Sequence, residues 1–127
     1  MNAQTAPLLL LAEDDDELRE LFVAALQQVG FHVVTVDDGF ELLDYFDKVR
    51  GHSLPTPLVV VSDQRMPGHS GLDVAELLER RGVRVPFYLV TAFPDADLRN
   101  KAERIGASVI AKPIDPKDLA QQLVEYV

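Results

Sequence analysis

Glu13, Asp14 and Asp15 follow the apolar run Leu8–Ala12, and a single acid, Asp63, follows the run Leu58–Ser62. Two further apolar runs end on Thr91-Ala92 and on Lys112-Pro113. Carboxylates, a hydroxyl and an ammonium, each placed where an apolar segment stops, form a set able to handle a phosphoryl group. Clustered carboxylates offer hard oxygens suited to Mg²⁺, which takes few protein carboxylates and keeps several waters. Left alone they repel one another and some pKa values rise; a metal relieves the repulsion and neutralises incoming phosphoryl oxygens. In this chemistry Asp63 is the nucleophile and forms an aspartyl phosphate. Thr91 hydrogen-bonds one phosphoryl oxygen, and Lys112 gives a point charge to another. Phosphoryl transfer needs little beyond positioning and charge neutralisation.

These residues act together only if the chain brings them to one place. Leu8–Ala12 reads as a buried strand, and Leu18, Leu21, Phe22, Ala25, Leu26 and Val29 then repeat with the spacing of one helix face. Gly30 stands where a helix C-cap belongs. His32–Val36 predicts a second strand, and Leu42, Leu43, Phe46 and Val49 a second helix. Pro55 and Pro57 punctuate a loop before a third strand over Leu58–Ser62, which Met66-Pro67-Gly68 ends. Leu72, Ala75, Leu77 and Leu78 mark a third helix ending near Gly82, and Phe87–Thr91 a fourth strand. Leu98, Ala102 and Ile105 mark a fourth helix capped at Gly106; Ser108–Ala111 is a short fifth strand. Asp115 as N-cap and Pro116 at the first helical position open a last helix through Leu119, Leu123 and Val127. The result is five βα units with no repeat and no linker. The first, third and fourth strands are continuous apolar runs, as in a parallel sheet covered by helices on both faces. Such sheets bind ligands at the carboxyl ends of their strands, which is where the acids, Thr91 and Lys112 fall.

Composition agrees and narrows the choice. A chain of 127 residues predicts one domain, 1–127, and 47% hydrophobic with 26% charged residues is the profile of a folded globular protein. Twelve Lys and Arg stand against 21 Asp and Glu, for a net charge of −9. That balance argues against a nucleic-acid surface and against an anionic membrane. With no Cys, disulfides, thiolate chemistry and Cys-based zinc sites are excluded. No stretch near the N-terminus has the length of a signal or membrane segment.

The chain resembles, over essentially its whole length, the receiver domain of bacterial two-component response regulators. The pieces that carry the likeness are Leu-Leu-Ala-Glu-Asp-Asp (10–15), Ser-Asp-Gln-Arg-Met-Pro-Gly (62–68), Val-Thr-Ala (90–92) and Lys-Pro (112–113). Each is weak alone; four in order, each at a strand end, are specific. The resemblance implies an α/β flavodoxin-like (βα)5 sandwich with a parallel sheet in the order 2-1-3-4-5. It implies Asp63 as phosphoacceptor, Asp14 as direct Mg²⁺ ligand, Glu13 acting through a metal-bound water, and the backbone carbonyl of Arg65 as third protein ligand, with Mn²⁺ as an alternative ion. Thr91 and Lys112 match the pair that senses the phosphoryl group, Ala92 the small residue beside it, and Pro113 the cis-proline after the lysine. Arg65 and Phe93, two positions beyond Asp63 and Thr91, match positions that tune phosphoryl loss. Both are bulky and predict shielding from water and slow loss. The fifth strand departs from the pattern: Gly106 to Lys112 holds no aromatic residue and is one residue short, so Val109 stands where an aromatic usually turns as Thr moves. Signalling is then expected through the loops after the third and fourth strands.

Further implications concern partners. A histidine kinase or a histidine phosphotransfer protein would donate or receive the phosphoryl group. Phosphorylation would change partner docking, or homodimerisation, on the face made by the fourth helix, fifth strand and fifth helix. The domain would catalyse its own phosphorylation and dephosphorylation without being a small-molecule enzyme, in the cytoplasm, and without binding nucleic acid or membrane itself. No output domain follows within the chain, which reads either as a stand-alone regulator or as the N-terminal receiver of a longer protein.

Plainer readings compete. Asp16 and Glu17 suit the first turn of a helix, and Asp15 suits its cap. His32, His52 and His69 share no metal-binding spacing. An aspartyl-phosphate hydrolase of small molecules would want a second aspartate at the place of Arg65, and a flavin site would want a Ser/Gly-rich loop where Glu13-Asp14-Asp15 repels phosphate. The alternative that stays open is a constitutive protein-binding module with an unused acidic site, because Val109 replaces the aromatic.

Overall fold

A computed structural model describes residues 6–127, so residues 1–5 of the expected unit lie outside it. Five strands alternate with five helices: β1 Leu8–Ala12, α1 Asp16–Gln28, β2 His32–Val36, α2 Gly39–Arg50, β3 Val59–Asp63, α3 Gly71–Arg80, β4 Phe87–Thr91, α4 Ala96–Arg104, β5 Ser108–Ala111 and α5 Pro116–Gln122. All strand pairs are parallel, in the order β2-β1-β3-β4-β5. This is the flavodoxin-like arrangement that the resemblance implied.

The strand alternation of side chains divides the core in two. Leu9, Leu11, Val59, Val61, Val90 and Ile110 pack with Phe22 and Leu26 of α1 and Leu119 and Leu123 of α5. Leu10, Ala12, Val60 and Leu89 face the other way, toward α2, α3 and α4 through Leu42, Phe46, Leu78 and Leu98. Every residue of β1 and β3 is buried, whereas those of the edge strands β2 and β5 are exposed or half-buried, Ile110 apart. Continuous apolar runs therefore occur in central strands, and weaker patterns at the edges.

Each helix begins with a polar cap beside the carboxyl edge of the sheet. Asp15, Asp38, Asp95 and Asp115 accept the amides of Leu18, Glu41, Leu98 and Lys117 at 3.0, 2.8, 2.8 and 2.8 Å. Ser70 and Asp73 form a reciprocal capping box on α3. These acids satisfy amides that would otherwise lack partners.

Four expectations shift. β3 begins at Val59 rather than Leu58, whose side chain is exposed, and it includes Asp63, which pairs in register with Val90. Leu21 lies at the margin of the α1 face and is exposed; Val23 packs against the core in addition to the predicted residues. The last helix stops at Gln122 and tightens into a 3-10 turn over Val124–Tyr126, leaving Val127 half-exposed. There Leu123 stays buried while the Tyr126 hydroxyl meets that of Tyr88 at 2.8 Å. No helix among the described residues is long and apolar enough to cross a membrane.

The opening of α3 binds the fold to the site. A Cβ at Gly71 would stand 2.5 Å from the Asp63 carbonyl oxygen and 2.7 Å from Leu89 Cδ2. Gly71→Ala should therefore destabilise the protein by about 1–3 kcal/mol, the usual cost of overpacking. Urea unfolding checks this, and a midpoint equal to that of the unmodified chain would contradict it.

Candidate functional site

Parallel pairing brings the ends of β1, β3, β4 and β5 together, and with them Glu13, Asp63, Thr91 and Lys112. Lys112 lies at the centre. Its Nζ is 2.7 Å from Asp63 Oδ1 and 3.2 Å from Glu13 Oε1. Glu13 and Asp63 are 1% and 4% exposed, Lys112 is half-buried, and Thr91 is buried. Glu13 Oε2 also accepts the Asp15 amide at 3.1 Å, so the acidic segment folds back on itself before α1 begins. Asp15 serves as the α1 cap, as its position suggested. The Lys112–Pro113 bond is cis.

Asp63 faces two opposed influences. Burial and the neighbouring Glu13 push its carboxyl up to about 8, while Lys112 pulls it down. Burial also works against the Lys112 charge, but the contacts with Asp63 and Glu13 outweigh it and its pKa is raised. Asp63 Oδ1 is buried and takes no aligned hydrogen bond; its compensation is the ionic contact to Lys112. Two buried carboxylates thus share one ammonium, and one carboxylate oxygen retains capacity for a further positive partner.

That capacity answers whether a divalent cation fits. Glu13, Asp14 and Asp63 each present an oxygen within 4.8 Å of the others. Two of these residues are buried and Asp14 is exposed, so the group opens to solvent on one side. An all-oxygen donor set, partly open to water, suits a hard ion such as Mg²⁺.

Asp14, Asp63, Arg65, Thr91, Ala92, Phe93 and Lys112 line one cleft of about 180 Å³. Of the strand-end residues read from the sequence, the cleft brings together Asp14, Asp63, Thr91, Ala92 and Lys112; Glu13 joins them through Lys112, while Asp15 turns to cap α1. Across the cleft the Arg65 guanidinium stacks on the Phe93 ring, 4.4 Å from its centroid, within the range of a cation–π contact. Phe93 remains 58% exposed, so this bridge sits at the mouth. Val109 lies on the opposite side of β5 from Ile110, half-buried against the α2–α4 half of the core.

Several contacts carry no signal in the sequence. Thr91 Oγ1 accepts the Phe93 amide at 3.0 Å. Gln64 Oε1 accepts the Leu72 amide at 2.8 Å, and Ser62 Oγ donates to the Asp63 carbonyl at 2.8 Å. Each depends on loop geometry rather than on residue type or period. Among the described residues, no histidine joins the acidic cluster.

Residues 9–124 match the family described as response regulator receiver domain. The chain is 34% identical over 121 residues to the alkaline phosphatase synthesis transcriptional regulatory protein SphR of Synechococcus elongatus, covering 92% of this chain and 47% of that protein. It is 36% identical over 118 residues to the transcriptional regulatory protein TctD of Salmonella typhimurium, covering 91% and 49%. The chain thus spans about half the length of these curated relatives. Among solved structures, the chemotaxis response regulator CheY4 of Vibrio cholerae superposes with a TM-score of 0.81 at 24% identity, covering 97% of this chain and all (100%) of that one. The receiver domain of the Francisella response regulator 1452 gives 0.82 at 19%, covering 94% and 95%. At these identities the structural likeness speaks for the fold.

The raised Asp63 pKa has a sign that stability measurements can read. The folded carboxyl, near 8, holds a proton that the unfolded chain has already lost above about pH 4. Its stabilising contribution is complete below about pH 4 and is lost as pH rises through about 8. Without metal, unfolding free energy should fall over this range by at most about 1.4 kcal/mol per pH unit from this group. Asp63→Asn should flatten that slope in denaturant titrations at pH 5, 6, 7 and 8. An identical slope in the variant would assign the effect to other groups.

Proposed function

The chain belongs to the response regulator receiver domains, and from that membership we propose that Asp63 is its phosphoacceptor, charged by a histidine kinase or a histidine phosphotransfer protein in the cytoplasm. The observation that carries this reading is Asp63 itself. It is a buried carboxylate at the carboxyl edge of β3, held between Glu13 and Lys112 in an open cleft. The family is not one of small-molecule enzymes. The catalysis proposed for this domain is of its own phosphorylation and dephosphorylation.

In this reading an Asp63 carboxylate oxygen attacks the phosphorus of the donor. The new P–O bond forms as the bond to the donor's nitrogen or oxygen breaks, and the leaving group departs with its electron pair. Lys112 is close enough to follow the charge from the carboxylate to a phosphoryl oxygen. Thr91 gives up the Phe93 amide and donates its hydroxyl to a second oxygen. Ala92, exposed and small, leaves room for the group. Asp14, Glu13, Asp63 and the Arg65 carbonyl would hold Mg²⁺, or Mn²⁺ in its place. When bound, the ion supplies positive charge to the phosphoryl oxygens.

Phosphorylation then favours one of two arrangements of the site loops. The α4–β5–α5 face is the proposed docking or dimerisation surface. Because Val109 offers no ring to turn with Thr91, the change is proposed to pass through the β3–α3 and β4–α4 loops, which the Arg65–Phe93 stack joins.

Acetyl phosphate with Mg²⁺ should add one phosphate to the protein by intact mass, and Asp63→Ala should abolish the gain. Lys112→Ala should slow it about 10²–10³-fold, the usual effect of losing one stabilising charge. A folded protein that neither gains phosphate nor binds Mg²⁺ would instead support a constitutive binding module. Shielding by the stack makes a separate claim. The phosphorylated protein should lose phosphate several-fold faster in Arg65→Ala and in Phe93→Ala, and unchanged or longer lifetimes in both would remove it.

A further inference from the structure

The loop between Asp63 and α3 is gripped from outside the sheet by the first turn of α2. The Gly39 amide donates to the Pro67 carbonyl at 3.2 Å. A Cβ at Gly39 would collide with the backbone carbonyl of His69, so the two segments touch main chain to main chain. Phe40 then lies across Gly68, where a Cβ would collide with its ring. Gly68 has φ +83°, a conformation that glycine adopts without strain. The Phe40 ring also meets the His69 imidazole edge-on, with centroids 5.1 Å apart.

From the inside, the same loop is fixed by the Gly71 amide on the Gln64 carbonyl at 3.0 Å and by the Leu72 amide on Gln64 Oε1. Arg65 and Met66 run between the attachments at Gln64 and Pro67. Phe40 is 61% exposed, so core formation does not account for it. Its ring meets Gly68 and His69 of the loop.

We propose that Gly39 and Phe40 are positioning residues for the divalent cation, clamping the Met66–His69 segment so that Arg65, which lines the cleft with Asp14 and Asp63, is fixed there before the ion arrives. This rests on the reading that Glu13, Asp14, Asp63 and the Arg65 carbonyl hold Mg²⁺. A ligand fixed in advance costs less ordering on binding, and groups that orient metal ligands commonly change affinity 10–100-fold. Coupling is reciprocal, so the bound ion tightens the grip on the α2 N-terminus.

The test titrates Mg²⁺ alone into the full chain and follows backbone amides by NMR. Phe40→Ala should weaken Mg²⁺ binding about 10-fold while leaving the far-UV spectrum unchanged. Phe40→Tyr, which keeps the ring, should bind as the unmodified chain does. Phosphorylation by acetyl phosphate should slow in Phe40→Ala at low Mg²⁺ and recover at saturation, because a positioning residue moves the affinity for the ion and not the chemical step. In the unmodified chain the Gly39 and Phe40 amides should shift with the same midpoint as Asp14. Equal affinity in Phe40→Ala and the unmodified chain overturns the proposal, as does a loss in Phe40→Tyr as large as in Phe40→Ala. If Phe40→Ala fails to fold, the Gly39 amide decides: a saturable shift supports the clamp and a still signal overturns it. Absence of Mg²⁺ binding to the unmodified chain would remove the metal reading itself and the clamp with it.

Discussion

Two carboxylates buried around one ammonium set the terms for this protein. Glu13 and Asp63 are removed from water at the end of a sheet whose interior is aliphatic, and Lys112 is the cation that both contact. Burying charge is expensive unless it is paired; with both acids ionised the pairing is uneven by one unit, and the proton that Asp63 retains up to about pH 8 offsets it. The rest of the structure maintains that imbalance. β1 and β3 deliver the acids, β5 delivers the lysine, and the parallel register keeps all three at one edge. An electrostatic debt of this kind is relieved by an added cation and altered when a carboxylate is esterified, which are the two events a phosphoacceptor undergoes.

The helix caps belong to the same arrangement. Four aspartates and one serine close the amino ends of the helices around the site. They contribute to the net charge of −9 while being engaged locally with backbone amides. Much of the acidity at this end of the molecule is therefore structural. Glu13, Asp14 and Asp63 differ from it in presenting oxygens to one another rather than to a helix.

Most of the fold was legible because it rests on local pattern. Leu8–Ala12, Phe87–Thr91 and Ser108–Ala111 are strands over the same residues that their apolar runs marked, and Asp115-Pro116 opens α5 as those residue types dictate. The errors sit where tertiary contacts outrank pattern. Leu58 is apolar but outside the sheet, and Asp63 is acidic but inside β3, because pairing with β1 and β4 sets the ends of that strand. The last helix yields to a tighter turn where Tyr126 reaches Tyr88. The site residues were legible as types at strand ends. Their partnerships were not: Lys112 and Glu13 stand 99 positions apart, and nothing local to either announces the contact. The grip of Gly39 and Phe40 on the β3–α3 loop was equally silent, since nothing in the type or spacing of either residue announces a contact so far along the chain.

The Tyr88–Tyr126 pair gives the molecule an optical handle. The chain has no Trp and three Tyr, so ultraviolet emission comes from tyrosine without energy draining to an indole. Two of the three sit edge-on, with centroids 6.2 Å apart, joining the β4 strand to the terminal turn. The third, Tyr45, is buried and donates to the Pro55 carbonyl on the α2 side. Emission and its decay are therefore weighted toward the seam between sheet and C-terminus, on the side of the molecule where α5 packs. A loosening of that seam is visible in the unlabelled protein, at wavelengths where two of the three emitting residues belong to it.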